Sequence, residues 1–299
     1  MSFKLLLASL LIVLGFTVKG ESLFENDLPP KQSLTTLHID FPKIYPSLKV
    51  KTFHSSVAES YIVLDLNTGE TIVSKNSETA YPLASLTKLM TAYLATQKEN
   101  PRRLLTVPPS VPLLPENLVK IKTGEKYELI DCLKALLVYS ANDMAYLLAL
   151  EEGGIAEFVE SMNRAAKDLN LNSFIFVDPA GLSLQNQGSA KDIALLLALL
   201  LKKPFLREIL SLQSIEIKEQ TSQIIKSFRS TSVIFDKLTS EKLIANKTGF
   251  LPEAGYNYAS VFELKDGRRL AIVLLKANPA SKQGAAEAAL KLLSSLESF

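Results

Sequence analysis

The chain of 299 residues has no tryptophan, one cysteine and two histidines. Each shortage removes a class of function. Without tryptophan there is no Trp-lined platform on which sugars stack. Cys132 has no second cysteine to pair with, so an internal disulfide is excluded. It shares helical spacing with Leu129, Leu133, Leu136 and Leu137 and reads as a buried apolar thiol, not a nucleophile. His38 and His54 both precede the first plausible core element. A Ser-His-Asp triad would have to borrow one of them from a proline-containing leader. A zinc hydrolase would need more nitrogen or sulfur ligands than the chain supplies, so neither a metal nor a cofactor is expected. Long apolar runs are also scarce. Ile193 to Leu201 is nine residues, too short to span a bilayer, and reads as a buried central helix. Charge of one sign is not in excess. Thirty-three Lys and Arg stand against 31 Asp and Glu, mixed along the chain, so no nucleic-acid partner is expected.

What is present begins at the N-terminus. Lys4 precedes an apolar run, Leu5 to Phe16, followed by small residues around Val18 and Gly20. A basic start, a short apolar core and small residues at a cut site make residues 1–20 an export signal. The protein is therefore expected outside the cytoplasm, in the periplasm or its equivalent. Contact with the membrane would come only through an uncleaved N-terminal segment. Residues 21–56 carry Pro29, Pro30, Pro42 and Pro46 without periodicity and read as a leader or spacer. Residues 57–299 form the folded domain, and 47% apolar residues over the chain suffice for a real core.

Within that domain, Tyr61 to Leu66 and Thr71 to Val73 flank the turn residues Asn67-Thr68-Gly69-Glu70, which predicts a hairpin. A helix follows Pro82, from about Ser85 to Gln97. Further helices are expected at about 129–138, 143–151, 155–169 and 190–202. Strands return at 215–217, 243–247, 256–263 and 270–275, with Asp266-Gly267 turning the last hairpin. Ala285 to Leu296 closes the chain as a helix. The fold class is α/β in the α+β sense: an antiparallel sheet with strands from both ends of the chain, flanked by helices, and interrupted by an all-helical region.

Three short motifs stand in one order: Ser85-Leu86-Thr87-Lys88, Ser140-Ala141-Asn142 and Lys247-Thr248-Gly249. Each is weak alone, and the ordered set is much rarer. Ser85 and Lys88 are three apart at a helix start, so they share a face. A lysine can take the serine proton if its amine is neutral, which needs burial or a nearby positive charge. Lys247 is a candidate for that charge. Ser140 can relay a proton toward a leaving group, and Asn142 can orient Lys88 and a substrate amide. Taken singly, Ser85 reads first as an N-cap serine with Lys88 an exposed lysine, and Ser140 and Asn142 as ordinary caps and turn formers. Lys-Thr-Gly also occurs at residues 122–124, but there it sits in a charged turn and reads as a decoy. Only the copy at 247–249 follows a strand-like run, where Gly249 lets backbone and substrate approach closely.

The run Pro82-Leu83-Ala84-Ser85-Leu86-Thr87-Lys88-Leu89-Met90-Thr91 resembles the nucleophile segment of D-alanyl-D-alanine carboxypeptidases, the low-molecular-mass penicillin-binding proteins. The resemblance extends through Asp178-Pro179-Ala180-Gly181-Leu182 and Ala254-Gly255-Tyr256-Asn257 to the final helix. It implies a β-lactamase/transpeptidase-like fold with the site at the junction of its two regions. It further implies that Ser85 forms an acyl-enzyme on the penultimate D-alanine of peptidoglycan stem peptides, with Lys88 as base and Ser140 and Asn142 completing the proton network. Lys247 and Thr248 would hold the terminal carboxylate, with Gly249 lining the substrate beside them. The backbone N–H groups of Ser85 and Phe250 would form the oxyanion hole. β-Lactams would act as covalent inhibitors. Two departures stand out. Phe250 replaces a residue that is polar in many relatives, and 277–287 lacks an arginine that some relatives use for carboxylate, leaving Lys276 or Lys282 as substitutes. Two other functions share the motifs. A catalytically idle wall-binding protein would keep the site without turnover. A class A β-lactamase would need a Glu-x-x-x-Asn water-activating motif, which residues 151–186 lack.

Overall fold

The computed structural model describes residues 48–50, 57–97, 100–113, 118–238 and 242–298. The chain divides after Phe41, and every described residue lies in the second unit, Pro42–Phe299. The export signal, His38, His54 and most of the leader lie outside the described residues.

In chain order, β1 (Leu48–Val50) precedes β2 (Ala58–Asp65) and β3 (Thr71–Lys75). The pair β2 and β3 is the expected hairpin, with the Asp65 carboxylate accepting from the backbone N–H groups of Asn67 and Thr68 in its turn. A two-residue strand β4 (Tyr81–Pro82) leads into a 3-10 turn, Ala84–Thr87, and then α1 (Lys88–Ala95). Strands β5 (Leu104–Thr106) and β6 (Lys126–Glu128) pair with each other. Next come α2 (Leu129–Lys134), which runs into a wider π turn at Ala135–Tyr139, and α3 (Asn142–Glu151) and α4 (Ile155–Asp168). After β7 (Gln187–Gly188) follow α5 (Ala190–Leu200), α6 (Pro204–Leu210), β8 (Ser214–Lys218) and β9 (Ile225–Arg229). The chain then forms β10 (Lys242–Leu251), β11 (Gly255–Glu263), β12 (Arg269–Ala277), α7 (Lys282–Ser294) and β13 (Leu296–Ser298).

Five strands make the main sheet, in the antiparallel order β10-β11-β12-β2-β3. Its middle strands are apolar at successive positions because both faces are covered, and alternate side chains go to different layers. On β2, Ile62 and Leu64 join the helical region, whereas Tyr61 and Val63 join a second cluster under α7. On β12, Ala271, Val273 and Leu275 face the helices, and Leu270, Ile272 and Leu274 face α7. Helix α5 packs on β2 and β12. Its Ile193, Leu196, Leu197 and Leu200 are buried, as expected of a central core helix. No helix among the described residues is long and apolar enough to cross a membrane.

The structure departs from the sequence reading in a few places. The helix expected from Ser85 begins at Lys88, because Ala84 takes a left-handed φ of 49° and Ser85 sits in the tighter turn. The closing helix ends at Ser294. Leu296 belongs to β13, which pairs with β1 from the end of the stretch read as leader. Strand β9 is exposed on one face, at Ile225, Ser227 and Arg229, and only partly buried on the other, at Lys226 and Phe228, so its residue types lack the apolar alternation that reveals a strand. Helix α6 starts on Pro204 at its first turn, a position where proline's missing N–H costs nothing.

Phe262 is fully buried between the sheet and α7. Phe262→Ala should lower unfolding free energy by about 3–5 kcal/mol, read as a fall in the urea midpoint.

Candidate active site

The three sequence motifs meet at one cleft of about 350 Å³, lined among others by Ser85, Ser140, Asn142, Thr248, Gly249 and Phe250. Ser85 is half-buried, and Lys88 behind it is fully buried. Lys88 Nζ is hydrogen-bonded to Ser85 Oγ at 2.8 Å and donates to the Ala180 carbonyl at 2.6 Å. On the other side, Lys247 Nζ donates to Ser140 Oγ at 2.8 Å and to the Thr248 carbonyl at 2.9 Å. Each lysine is thus paired with one serine hydroxyl. Ser140 is held toward the site by a left-handed backbone, φ 66°, after the π turn. Asn142 opens α3 and is buried.

Several elements force this arrangement. Gly249 on β10 lies against the turn that carries Ser85. A Cβ there would come within 2.9 Å of the Leu83 carbonyl oxygen and 3.2 Å of Ser85 N, so only glycine permits the approach. Asn257 on β11 ties the same segment down. Its Nδ2 donates to the carbonyls of Pro82 and Leu83 at 2.8 and 3.0 Å, and its Oδ1 accepts from Lys276 N. Asp178 organises the loop beneath Lys88. Its carboxylate accepts from the backbone N–H groups of Ala180, Gly181, Leu182 and Ser183 and from Asn186 Nδ2. That loop presents the Ala180 carbonyl to Lys88, while Thr91 Oγ1 donates to the Pro179 carbonyl at 2.6 Å. Gly181 has φ +80°, and a Cβ there would lie 2.0 Å from the Ala84 carbonyl oxygen.

Thr231 was not visible as a site residue from the sequence. Its hydroxyl lies 2.6 Å from that of Thr248, and it lines the cleft from a loop with no motif of its own. Asp178 and Asn257 sit inside runs that carried the family resemblance, but their anchoring roles have no local signal. The second Lys-Thr-Gly, at residues 122–124, is an exposed turn before β6, as read from its context.

Lys247 is held well below the usual lysine range, first by burial and then by repulsion from Lys88. Repulsion is mutual, so the two amines disfavour simultaneous protonation. Asp143, next to Asn142, is pushed up to about 6 by burial, against the pull of hydrogen bonds from Val119 and Met144 and of the Lys226 charge. Its carboxylate holds Val119 N at 2.8 Å, next to Leu118 on the cleft wall. No group of three or more His, Cys, Asp or Glu among the described residues is placed to hold a metal ion.

A family model described as D-alanyl-D-alanine carboxypeptidase matches residues 49–279. The chain belongs to that family. Among its relatives, a D-alanyl-D-alanine endopeptidase of Pseudomonas aeruginosa is 30% identical over 201 residues, covering 66% of this chain and 64% of that protein. The D-alanyl-D-alanine carboxypeptidase DacD of Escherichia coli is 30% identical over 251 residues, covering 79% of this chain and 62% of that one. The chain thus spans less than two thirds of the length of these two relatives. Penicillin-binding protein D2 of Listeria monocytogenes, solved in an ampicillin-bound form, superposes with a TM-score of 0.70 at 26% identity. The match covers 82% of this chain and 99% of that one. The fold is that of the penicillin-binding proteins and DD-transpeptidases.

Lys247 forms no ion pair with a carboxylate among the described residues. Its folded-state pKa lies below the unfolded value, so between that lowered value and 10.5 the unfolded chain binds more protons and stability rises with pH. Lys247→Met should therefore stabilise the protein at pH 7 by about 1–3 kcal/mol and flatten the rise in stability between pH 7 and 10, measured by urea unfolding.

Proposed function

We propose that the protein is a serine-type D-Ala-D-Ala carboxypeptidase acting on peptidoglycan stem peptides outside the cytoplasm. The observation that carries this reading is the 2.8 Å contact between the buried Lys88 amine and Ser85 Oγ. Ser85 Oγ attacks the carbonyl carbon of the penultimate D-alanine, and neutral Lys88 takes its proton. The oxyanion is met by the backbone N–H groups of Ser85 and Phe250, preorganised where charge develops. Collapse breaks the peptide bond. The proton held by Lys88 passes through Ser140, which accepts a hydrogen bond from Lys247, to the leaving D-alanine amine, so Lys88 is neutral again. Water then attacks the acyl ester, Lys88 takes its proton and hands it to Ser85 Oγ as the ester bond breaks, and the shortened peptide leaves. Asn142 orients Lys88 and the substrate amide.

The terminal carboxylate is received by Lys247, Thr248 and the close backbone at Gly249. Burial and Lys88 make a charged Lys247 costly in the protein alone. An arriving carboxylate offsets that cost, so substrate binding favours protonation of Lys247. The base must be neutral and the carboxylate partner charged, which the repulsion between the two amines promotes.

Among the described residues no Asp or Glu lines the cleft, which favours this reading over a class A β-lactamase, since none of them is placed there to activate a deacylating water. β-Lactams would then form lasting adducts on Ser85. The idle-protein reading has less support, because every reactive side chain is present and engaged. An endopeptidase reading draws on the name of the Pseudomonas relative, and both activities use the same acyl-enzyme on Ser85.

Incubation with a fluorescent penicillin and mass spectrometry should place one adduct on the peptide containing Ser85. Ser85→Ala should abolish it, and Lys88→Met should slow acylation by about 10²–10⁴-fold. An adduct that survives in Ser85→Ala refutes the assignment, and acylation without any D-alanine release supports the idle protein instead. For a peptide with a free terminal carboxylate, kcat/KM should fall on the alkaline side as Lys247 loses its proton. The corresponding C-terminal amide should lack that limb. Asp178→Ala should reduce acylation about 10²-fold by releasing the Ala180 carbonyl from Lys88.

A further inference from the structure

The cleft continues past the residues assigned to the carboxylate. Thr248 and Phe250 are two apart on β10 and so lie on one sheet face. Phe250 stands directly opposite Tyr256 in the β10–β11 register, and their rings stack at 4.3 Å with 29° between planes. Phe250 is nonetheless 47% exposed, an apolar surface turned to the cleft. Leu251 and Pro252 extend it. Lys282, the first residue of α7, lines the same cleft. It is exposed, and among the described residues it forms no ion pair and no Asp or Glu side chain lines the cleft.

A leaving alanine offers one methyl group to this surface and leaves most of it uncovered. We propose that the Phe250–Tyr256 pair and Lys282 form a leaving-group subsite that selects a D-residue with a long aliphatic arm ending in a carboxylate. The inference rests on the reading above that Lys247 and Thr248 receive the α-carboxylate. With that group fixed, the side arm of the same residue runs over the stacked rings toward Lys282. The rings take the methylenes, and the ammonium takes the anionic end.

The test uses the full chain and three acyl-D-Ala-D-X peptides, where X is D-alanine, D-norleucine or D-2-aminoadipate, with kcat/KM read from release of X. D-Norleucine should exceed D-alanine about three- to tenfold through partial burial of its extra methylenes. D-2-Aminoadipate should exceed D-norleucine about two- to fivefold, the scale of an exposed ion pair. Lys282→Gln should bring the second ratio to about one, and Lys282→Glu should invert it. Phe250→Ser, which keeps the backbone donor, should remove the first ratio. Acylation by penicillin reports that each variant retains a folded site. Equal release of all three peptides, or a second ratio unchanged in an acylated Lys282→Glu, overturns the subsite alone. Acylation by penicillin with release from none of the peptides overturns the carboxypeptidase reading and the subsite with it.

Discussion

The structure depends on holding two lysine amines out of water around two serine hydroxyls. Burying one ammonium is costly, and burying two side by side is more so. Neither Lys88 nor Lys247 is there for stability. Lys88 is fully buried and Lys247 nearly so, and their mutual repulsion lowers the affinity of the pair for protons. In the function proposed above, that cost would make one amine available as a base. It would leave the other in want of an anion, which a carboxylate-bearing peptide would supply.

The rest of the fold offsets that cost and fixes the geometry. The five-stranded sheet is sealed on both faces by separate apolar clusters, so β10 and β11 form a rigid wall. Gly249 and Asn257 press that wall against the Ser85 turn, one by lacking a side chain and the other by hydrogen bonds. From the opposite side the Asp178 loop supplies the Ala180 carbonyl that fixes the Lys88 amine. Left-handed backbone at Ala84 and Ser140, two non-glycine residues, lies next to the two reactive positions. Such conformations persist only where their surroundings over-determine them, and functional sites are where they gather. The aromatic pair beyond Thr248 continues the same wall, so recognition of the leaving group would use the rigidity that positions the nucleophile.

Much of this was legible in the sequence for definite reasons. The hairpin of β2 and β3 and the strands β11 and β12 carry dense apolar runs bounded by turn residues, and α5 carries an uninterrupted one. The motifs at 85–88, 140–142 and 247–249 name residue types that make sense only together. Polar or short elements were harder to read. Strand β9 is solvent-exposed on alternate residues and has no apolar signature. The turn at Ser85 looked like a helix start because helical spacing of Leu86, Leu89 and Met90 survives a change in the winding of one turn. β1 and β13 are too short for any periodicity, and each is a strand only because the other is beside it.

The sequence by itself determined the inventory: a candidate nucleophile and base three residues apart, a serine and asparagine after an apolar helix, and a lysine and threonine on a strand. It also excluded the competing chemistries, since too few histidines and cysteines exist to support them. Tertiary structure alone decided that the amine of Lys247 meets Ser140, that Asp178 and Asn257 anchor the segments around Ser85 and Lys88, and that Thr231 joins Thr248. Those outcomes concern residues separated by up to 175 positions along the chain. Local pattern reports only on neighbours within a few residues, whereas hydrogen bonds between distant segments exist only once the sheet and the helical region have closed around the site.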